Sequence, residues 1–390
     1  MTKVKRYSKR EVQGLHTPEE IIVEKLSEYI SLFSSGKFRN YLFRGEPTNY
    51  DETVSSALRN VTLPGYNQIQ GVKKETTFLN MQKEFKKEVW YKLTPDERTY
   101  FSAFSQHHGI STNLIDITTS PLVALYFACQ DYTNPENSKV QLDEERGFVY
   151  LFKDQFVNIT NVLTKFEDEN ILDILASDDY DVFLDIYNLL LKFKIEHPEV
   201  YYDYFKKICF DFHDGSINLP KFIPVMNLNK FPSYDGGSYE DYFFDNYVSL
   251  LDSLKFEKFK KSHKVRKNNF YSVFVYTVYL QILLKNIHGM PVNKKSTWLN
   301  ILPKFKYAPI LTFERGRNQQ GLFVYQNYLQ ESEFLNTPDI VSIQRIWPDK
   351  IVVINNKKNI LDELDFIGIN EKFIYGDYDH MASYIRNKRR

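Results

Sequence analysis

Three arginines stand where a guanidinium could do chemistry. Arg44 closes the short apolar run Tyr41-Leu42-Phe43 and is followed by Gly45 and Glu46; Arg315 and Arg317 flank Gly316 just ahead of a second apolar run. A guanidinium fork matches phosphate or carboxylate oxygens in pairs. A glycine beside it lets a backbone or ligand come close. Two readings follow for Arg44. It holds an anion such as pyrophosphate at a strand end, or it makes an internal pair with Glu46 or Asp116.

Two histidines and one acid follow in Gln106-His107-His108-Gly109-Ile110-Ser111-Thr112-Asn113-Leu114-Ile115-Asp116. Adjacent histidines on a helix diverge by about 100°, whereas helical metal pairs want three or four residues of separation. A metal-assisted hydrolase built on His107, His108 and Asp116 therefore ranks last among the readings, and no metal ligand set is assigned. The other reading makes the histidines a helix C-terminal turn, where the dipole favours them. Asp116 is the best candidate for a buried acid, with helix capping or an arginine pair as its structural alternative. No GxSxG elbow, P-loop or GxGxxG occurs, so a serine hydrolase or phosphate-loop enzyme has no support.

The elements that must carry these residues read as follows. Thr17-Pro18-Glu19-Glu20 opens a helix over 17–33 with an apolar face of Ile21, Ile22, Leu26, Tyr29 and Ile30. The strand ending at Arg44 comes next, then an irregular stretch over 47–71 and a helix over 75–91. Thr94-Pro95-Asp96-Glu97 repeats the helix start, and Gly109 ends that helix. After an extended 111–117, Thr118-Thr119-Ser120-Pro121 caps a helix that is apolar on most sides, as a central helix must be. Residues 146–153, Arg-Gly-Phe-Val-Tyr-Leu-Phe-Lys, form a central strand. Strand patterns return at 308–313, 318–326 and 350–356, and two closing helices follow. The fold class is α+β, with a mixed or antiparallel central sheet assembled from distant segments. Residues 1–153 and 301–390 make the core, and 154–300 form a large helical insertion rich in Phe, Tyr, Leu and Lys.

Lys plus Arg number 50 against 50 for Asp plus Glu, so no overall basic field points to nucleic acid. Hydrophobic residues make up 43% and aromatics 16% of the chain, enough for a sizeable core. The two cysteines, Cys129 and Cys209, lack CxxC spacing; they suit a reducing, cytoplasmic setting. No signal peptide and no membrane-length apolar run are expected.

Four stretches in this order resemble the FRG domain, named for a Phe-Arg-Gly near its start. They are Phe43-Arg44-Gly45-Glu46; Gln106-His107-His108-Gly109 with Thr112, Leu114 and Asp116; Ser120–Ala128; and Arg315, Gln319 and Gly321. The ending Gly368–Ile385 also resembles the family's closing segment. The chain departs from the pattern at Glu46 (Gln expected), Asn113 (Arg expected) and Ile117 (aromatic expected). The order is further similar to the arginine–serine–glutamate layout of ADP-ribosyltransferases, which use NAD. That resemblance implies an ADP-ribosyltransferase-like fold in which Arg44, beside Gly45, holds a phosphate or ribose. Thr118, Thr119 and Ser120 would line the ribose, with His107, His108 and Arg315 adding ligand contacts. Gln319 would stand where the glutamate belongs. A glutamine can bond the ribose hydroxyl but brings no charge to an oxocarbenium-like state. Glu46, Asp116 or Glu314 would have to serve, or the fold binds a nucleotide without cleaving it. The implied functions are thus an NAD-consuming transferase, such as an intracellular toxin or phage-defence effector, or a non-catalytic module. That module would bind a nucleotide, nucleic acid or protein, with the aromatic insertion as contact surface.

Overall fold

Residues Gly147–Lys153 are apolar on both sides of the strand, and such a strand is stable only with a layer on each face. In the computed structural model it lies inside an eight-stranded sheet. The structure describes residues 16–50, 53–59, 77–132, 142–166, 170–177, 179–213, 257–259, 261, 271–289, 302–330 and 340–388. In chain order the elements are β1 (Glu19–Val23), α1 (Leu26–Ser34), β2 (Tyr41–Glu46), α2 (Thr77–Val89), α3 (Pro95–Thr99), α4 (Phe101–His107), β3 (Leu114–Thr118), α5 (Pro121–Ala128), β4 (Gly147–Lys153) and β5 (Val157–Asn158). The helices α6 (Thr160–Lys165), α7 (Ile171–Leu175), α8 (Tyr180–Glu196), α9 (Pro198–His213) and α10 (Tyr271–Gly289) follow. The chain closes with β6 (Phe305–Tyr307), α11 (Glu314–Asn318), β7 (Gly321–Tyr325), β8 (Tyr328–Gln330), β9 (Ile340–Ile343), β10 (Lys350–Ile354), α12 (Lys357–Phe366), α13 (Glu371–Tyr375) and α14 (Tyr378–Lys388).

The strand order is β1-β10-β4-β2-β3-β7-β6-β5, with β8 and β9 paired separately. β1 runs parallel to β10 and β5 parallel to β6; the other neighbours are antiparallel. The sheet is therefore mixed, mostly antiparallel and assembled from distant segments. Alternation along each strand sorts side chains onto two faces. On one face, Phe43, Val149 and Val352 pack under α1, α5 and α12. Further along that face, Leu114, Phe323, Tyr325 and Tyr307 pack under the helices α6–α10. The opposite face buries Leu42, Ile117, Tyr150, Val324, Val353 and Trp347.

α5 is seated as its sequence demands. Ser120 caps it, its Oγ accepting from Val123 N at 3.4 Å, and Pro121 occupies the first turn. The helix lies so close to the sheet that side chains below it are not accommodated. A Cβ on Gly45 would sit 1.9 Å from the Ala124 carbonyl oxygen, and one on Gly147 2.0 Å from that of Ala128. Gly45 is therefore a helix-packing residue. What approaches it is the backbone of α5, not a ligand.

Three elements differ from the sequence reading. The expected helix over 17–33 is a strand, β1, followed by a shorter helix beginning at Leu26. The β-branched run Ile21-Ile22-Val23 pairs with Val352–Ile354, a tertiary partner that local propensity does not see. The expected helix from Thr94 to Gly109 is two helices broken at Tyr100 (φ −111°, ψ 42°). Its Thr94–Glu97 capping box is present. The expected strand at 308–313 is irregular, the pairing being made by Phe305–Tyr307 with β7. The 47–71 stretch lies largely outside the described residues.

The close approach of α5 gives a direct test. Gly45→Ala and Gly147→Ala each force a backbone shift, and overpacking of this kind costs about 1–3 kcal/mol or more. Thermal or urea unfolding of each variant should show a clear loss of stability. A variant as stable as the parent would mean that α5 does not sit at this distance.

Candidate functional site

Arg44 lies inside β2, opposite Tyr150, two residues short of the strand's end at Glu46. It is not a terminal residue as the sequence suggested. Because Gly45 faces α5, Arg44 and Glu46 project from the other face. There Arg44 Nε donates to Glu46 Oε1 at 2.9 Å, and Thr53 Oγ1 donates to the same oxygen at 3.1 Å. The Glu46 side chain is 3% exposed and that of Arg44 20%. Arg44 Nη1 also donates to the backbone carbonyl of Asp116 at 2.8 Å. β2 and β3 share the bridge pair Phe43–Thr118. The guanidinium thus satisfies a β3 carbonyl beside that bridge. Both structural partners considered for Arg44 are used at once, Glu46 by its carboxylate and Asp116 by its main chain.

Asp116 is exposed, not buried, and its side chain lies on the face of Phe43 and Thr118. Its Oδ1 accepts from Gln106 Nε2 at 2.8 Å. Gln106 Oε1 in turn accepts a short hydrogen bond from Thr112 Oγ1. The α4 terminus is thereby fastened to β3.

Thr118 and Thr119 meet the turn that precedes β7. Thr118 Oγ1 donates to the Gln319 carbonyl at 2.6 Å and accepts from Ser120 N at 2.9 Å. Thr119 Oγ1 donates to Gln320 Oε1 at 3.1 Å. Gln320 holds φ +47°, a conformation uncommon outside glycine. Ser120 is occupied as the cap of α5. The Gln319 amide reaches the Ile374 carbonyl at 3.4 Å.

His107 lies flat on Phe313, with centroids 4.0 Å apart and planes at 13°. Half-burial, then the neighbouring His108 and Arg315, push its pKa down to about 4, with Asp377 opposing. His107 is therefore a neutral imidazole at neutral pH. His108 is exposed and touches Phe104 at 4.4 Å. Arg315 lies over the ring of Tyr375 at 4.9 Å. On its other contacts Tyr375 stacks with His380 at 4.0 Å and 11°, and His380 Nδ1 sits 2.7 Å from Asp377.

The sheet thus divides the predicted residues. His107, Asp116, Thr118, Thr119, Gln319 and Arg315 gather on or beside the α5 face, while Arg44 and Glu46 lie on the other. Sequence reasoning singled out the stretch holding Gln106 without giving that residue a role, and missed Phe313, Gln320, Tyr375 and His380 as contributors. Phe313 three residues before Gly316, Tyr375 beside Gly376 and the Asp377-x-x-His380 cap spacing were the available signals. Among the described residues no group of three His, Cys, Asp or Glu side chains converges as a metal site. Cys129 is buried, which pushes its thiol up to about 12. Among the described residues of the aromatic helices, Phe183, Tyr201, Phe205, Phe274, Tyr276 and Tyr279 are all at most 1% exposed and belong to the core. A cavity of about 30 Å³ lies between α2, α4 and β7, lined by Gln82, Phe101, Asn113 and Tyr325. It has room for a few waters, not for a nucleotide.

The model of the FRG domain matches residues 39–137, from just before β2 to just past α5. No curated protein and no solved structure matches the chain. No described helix is long and apolar enough to cross a membrane.

Two tests follow. Arg44→Ala strands the buried Glu46 carboxylate, so it should destabilise the fold by about 3 kcal/mol. Arg44→Ala combined with Glu46→Leu should recover much of that in denaturant unfolding. A fully stable single variant would free Arg44 for another role. His107, depressed when folded, makes stability fall as pH drops from about 6.5 towards about 4, since the unfolded chain takes up the proton first. NMR should find the ring neutral at pH 6. His107→Phe, which keeps the stack on Phe313, should flatten that acid limb.

Proposed function

We propose that the FRG domain, together with the segments around Arg315 and Tyr375, is a nucleotide-binding unit, with NAD the first ligand to test. The observation that supports this is the gathering of His107, Asp116, Thr118–Thr119, Gln319–Gln320 and Arg315 on or beside one side of the sheet. A neutral imidazole and a guanidinium, neither with a side-chain hydrogen bond among the described residues, suit the phosphate of such a ligand, and the exposed Thr119 hydroxyl and Asp116 carboxylate beside them can accept from a ribose.

A second reading, ADP-ribosyl transfer, draws on one further observation. Thr118 Oγ1 bonds the main-chain carbonyl of Gln319, which brings the Ser/Thr segment of the transferase layout beside the turn that precedes β7, although Gln319 lies before the strand and its amide turns to the Ile374 carbonyl. On that side Asp116 is the exposed carboxylate that could stabilise an oxocarbenium-like state. Arg44 and Glu46, which the layout would place at the ligand, face away from it. Binding without turnover is therefore the better-supported reading. A toxin or defence role belongs to the second.

The experiment is equilibrium binding of labelled NAD⁺ and ADP-ribose to the purified chain, with nicotinamide release followed in parallel. Saturable binding without release is the expected outcome. Release that Asp116→Asn removes, with binding kept, would establish the transferase reading. Neither binding nor release would remove both.

A further inference from the structure

Resting on the nucleotide-binding reading, we infer that Arg315, not Arg44, anchors the ligand's phosphate, and that the chain after β10 completes this anchor through Tyr375. The two arginines differ in what their donors do. Arg44 has spent Nε on Glu46 and Nη1 on the Asp116 carbonyl. The Arg315 side chain is half-buried and, among the described residues, makes no hydrogen bond or ion pair; its contact is the Tyr375 ring. A guanidinium carries five N–H donors, and stacking on an aromatic face uses none of them. Its charge is held while its hydrogen-bonding edge stays open for phosphoryl oxygens.

The anchor is also rigidly placed. Asn318 Nδ2 donates to the Phe373 carbonyl at 2.8 Å, tying α11 to α13. Gly376, at φ +71°, lets the two helices touch: a Cβ there would lie 2.9 Å from Asn318 Nδ2 and 3.0 Å from Glu314. The His380 ring also stacks on Tyr375 and is itself held by Asp377. Asp377 also accepts from His380 N at 2.9 Å at the start of α14, so its carboxylate is tied to His380, with Arg315 adding only a longer-range attraction. The His107 imidazole, stacked on Phe313 two residues before Arg315, is close enough for Arg315 to lower its proton affinity and is likewise without a hydrogen-bond partner among the described residues. A neutral imidazole can donate one N–H to the same phosphoryl group. None of Arg315, Tyr375 or His380 falls within the 39–137 match.

The test compares Arg315→Ala with Arg317→Ala, which removes the same charge two residues away on an exposed position. Ligands are inorganic pyrophosphate, ADP-ribose and, as the phosphate-free arm, adenosine, measured by calorimetry on variants shown to be folded by thermal unfolding. Pyrophosphate should bind and should compete with ADP-ribose. Arg315→Ala should weaken both at least tenfold and leave adenosine unchanged, and Arg317→Ala should stay within about twofold of the parent. Arg315→Lys, which keeps the charge but loses the fork, should lose several-fold, so the inference remains testable even where the alanine variant folds poorly. Tyr375→Leu should weaken ADP-ribose by a similar amount. Equal losses in Arg315→Ala and Arg317→Ala, or parent-like ADP-ribose affinity in Arg315→Ala, would overturn the anchor while leaving the nucleotide reading intact. Absence of ADP-ribose and pyrophosphate binding by the parent protein would overturn both.

Discussion

The seating of α5 against β2 and β4 is the constraint on which the rest depends. An apolar helix buried on a sheet is ordinarily held off by side chains from both sides. Here Gly45 and Gly147 remove the sheet's share, and the helix carbonyls of Ala124 and Ala128 come down almost onto the strands. That contact fixes which face of β2 lies under α5. Once Gly45 points at α5, alternation sends Phe43 to the same side and Arg44 and Glu46 to the other. The glycine of the Phe-Arg-Gly motif thus decides the direction of its arginine.

The arginine's role follows from that direction. A carboxylate that is 3% exposed is costly unless paired and hydrogen-bonded. Arg44 and Thr53 supply those bonds to Glu46. Arg44 additionally supplies a donor to the Asp116 carbonyl beside the point where β2 and β3 pair. One side chain therefore pins two strands and neutralises one buried charge. This commits Nε and one Nη1 donor of Arg44 to the fold, and shifts attention to Arg315 and His107, whose side chains make no hydrogen bond among the described residues.

On that face, three separated pieces of chain meet. The α4 terminus is tied to β3 through Gln106, the Thr118–Ser120 turn is tied to Gln319 and Gln320, and α11 is tied to α13 through Asn318. These are mostly single hydrogen bonds, each modest in net value. Their combined effect is positional: His107, Arg315 and Tyr375 are brought together from three distant parts of the sequence.

Much of this was legible in the residues. The strand and helix that carry Gly45, Ser120 and Pro121, the centrality of Gly147–Lys153 and the α+β assembly from distant segments follow from capping, periodicity and apolar runs. Those are local signals, and here local preference agrees with the fold. The helix expected over 17–33 failed because a parallel strand at 350–354, far along the chain, outweighed a local capping pattern. The side-chain partners were equally beyond reach. Sequence order put Arg44 and Asp116 in one motif set, but a strand's two-residue period puts their side chains on opposite faces of the sheet. Which arginine is spent and which is open is a matter of who sits across the sheet, and only tertiary packing decides that.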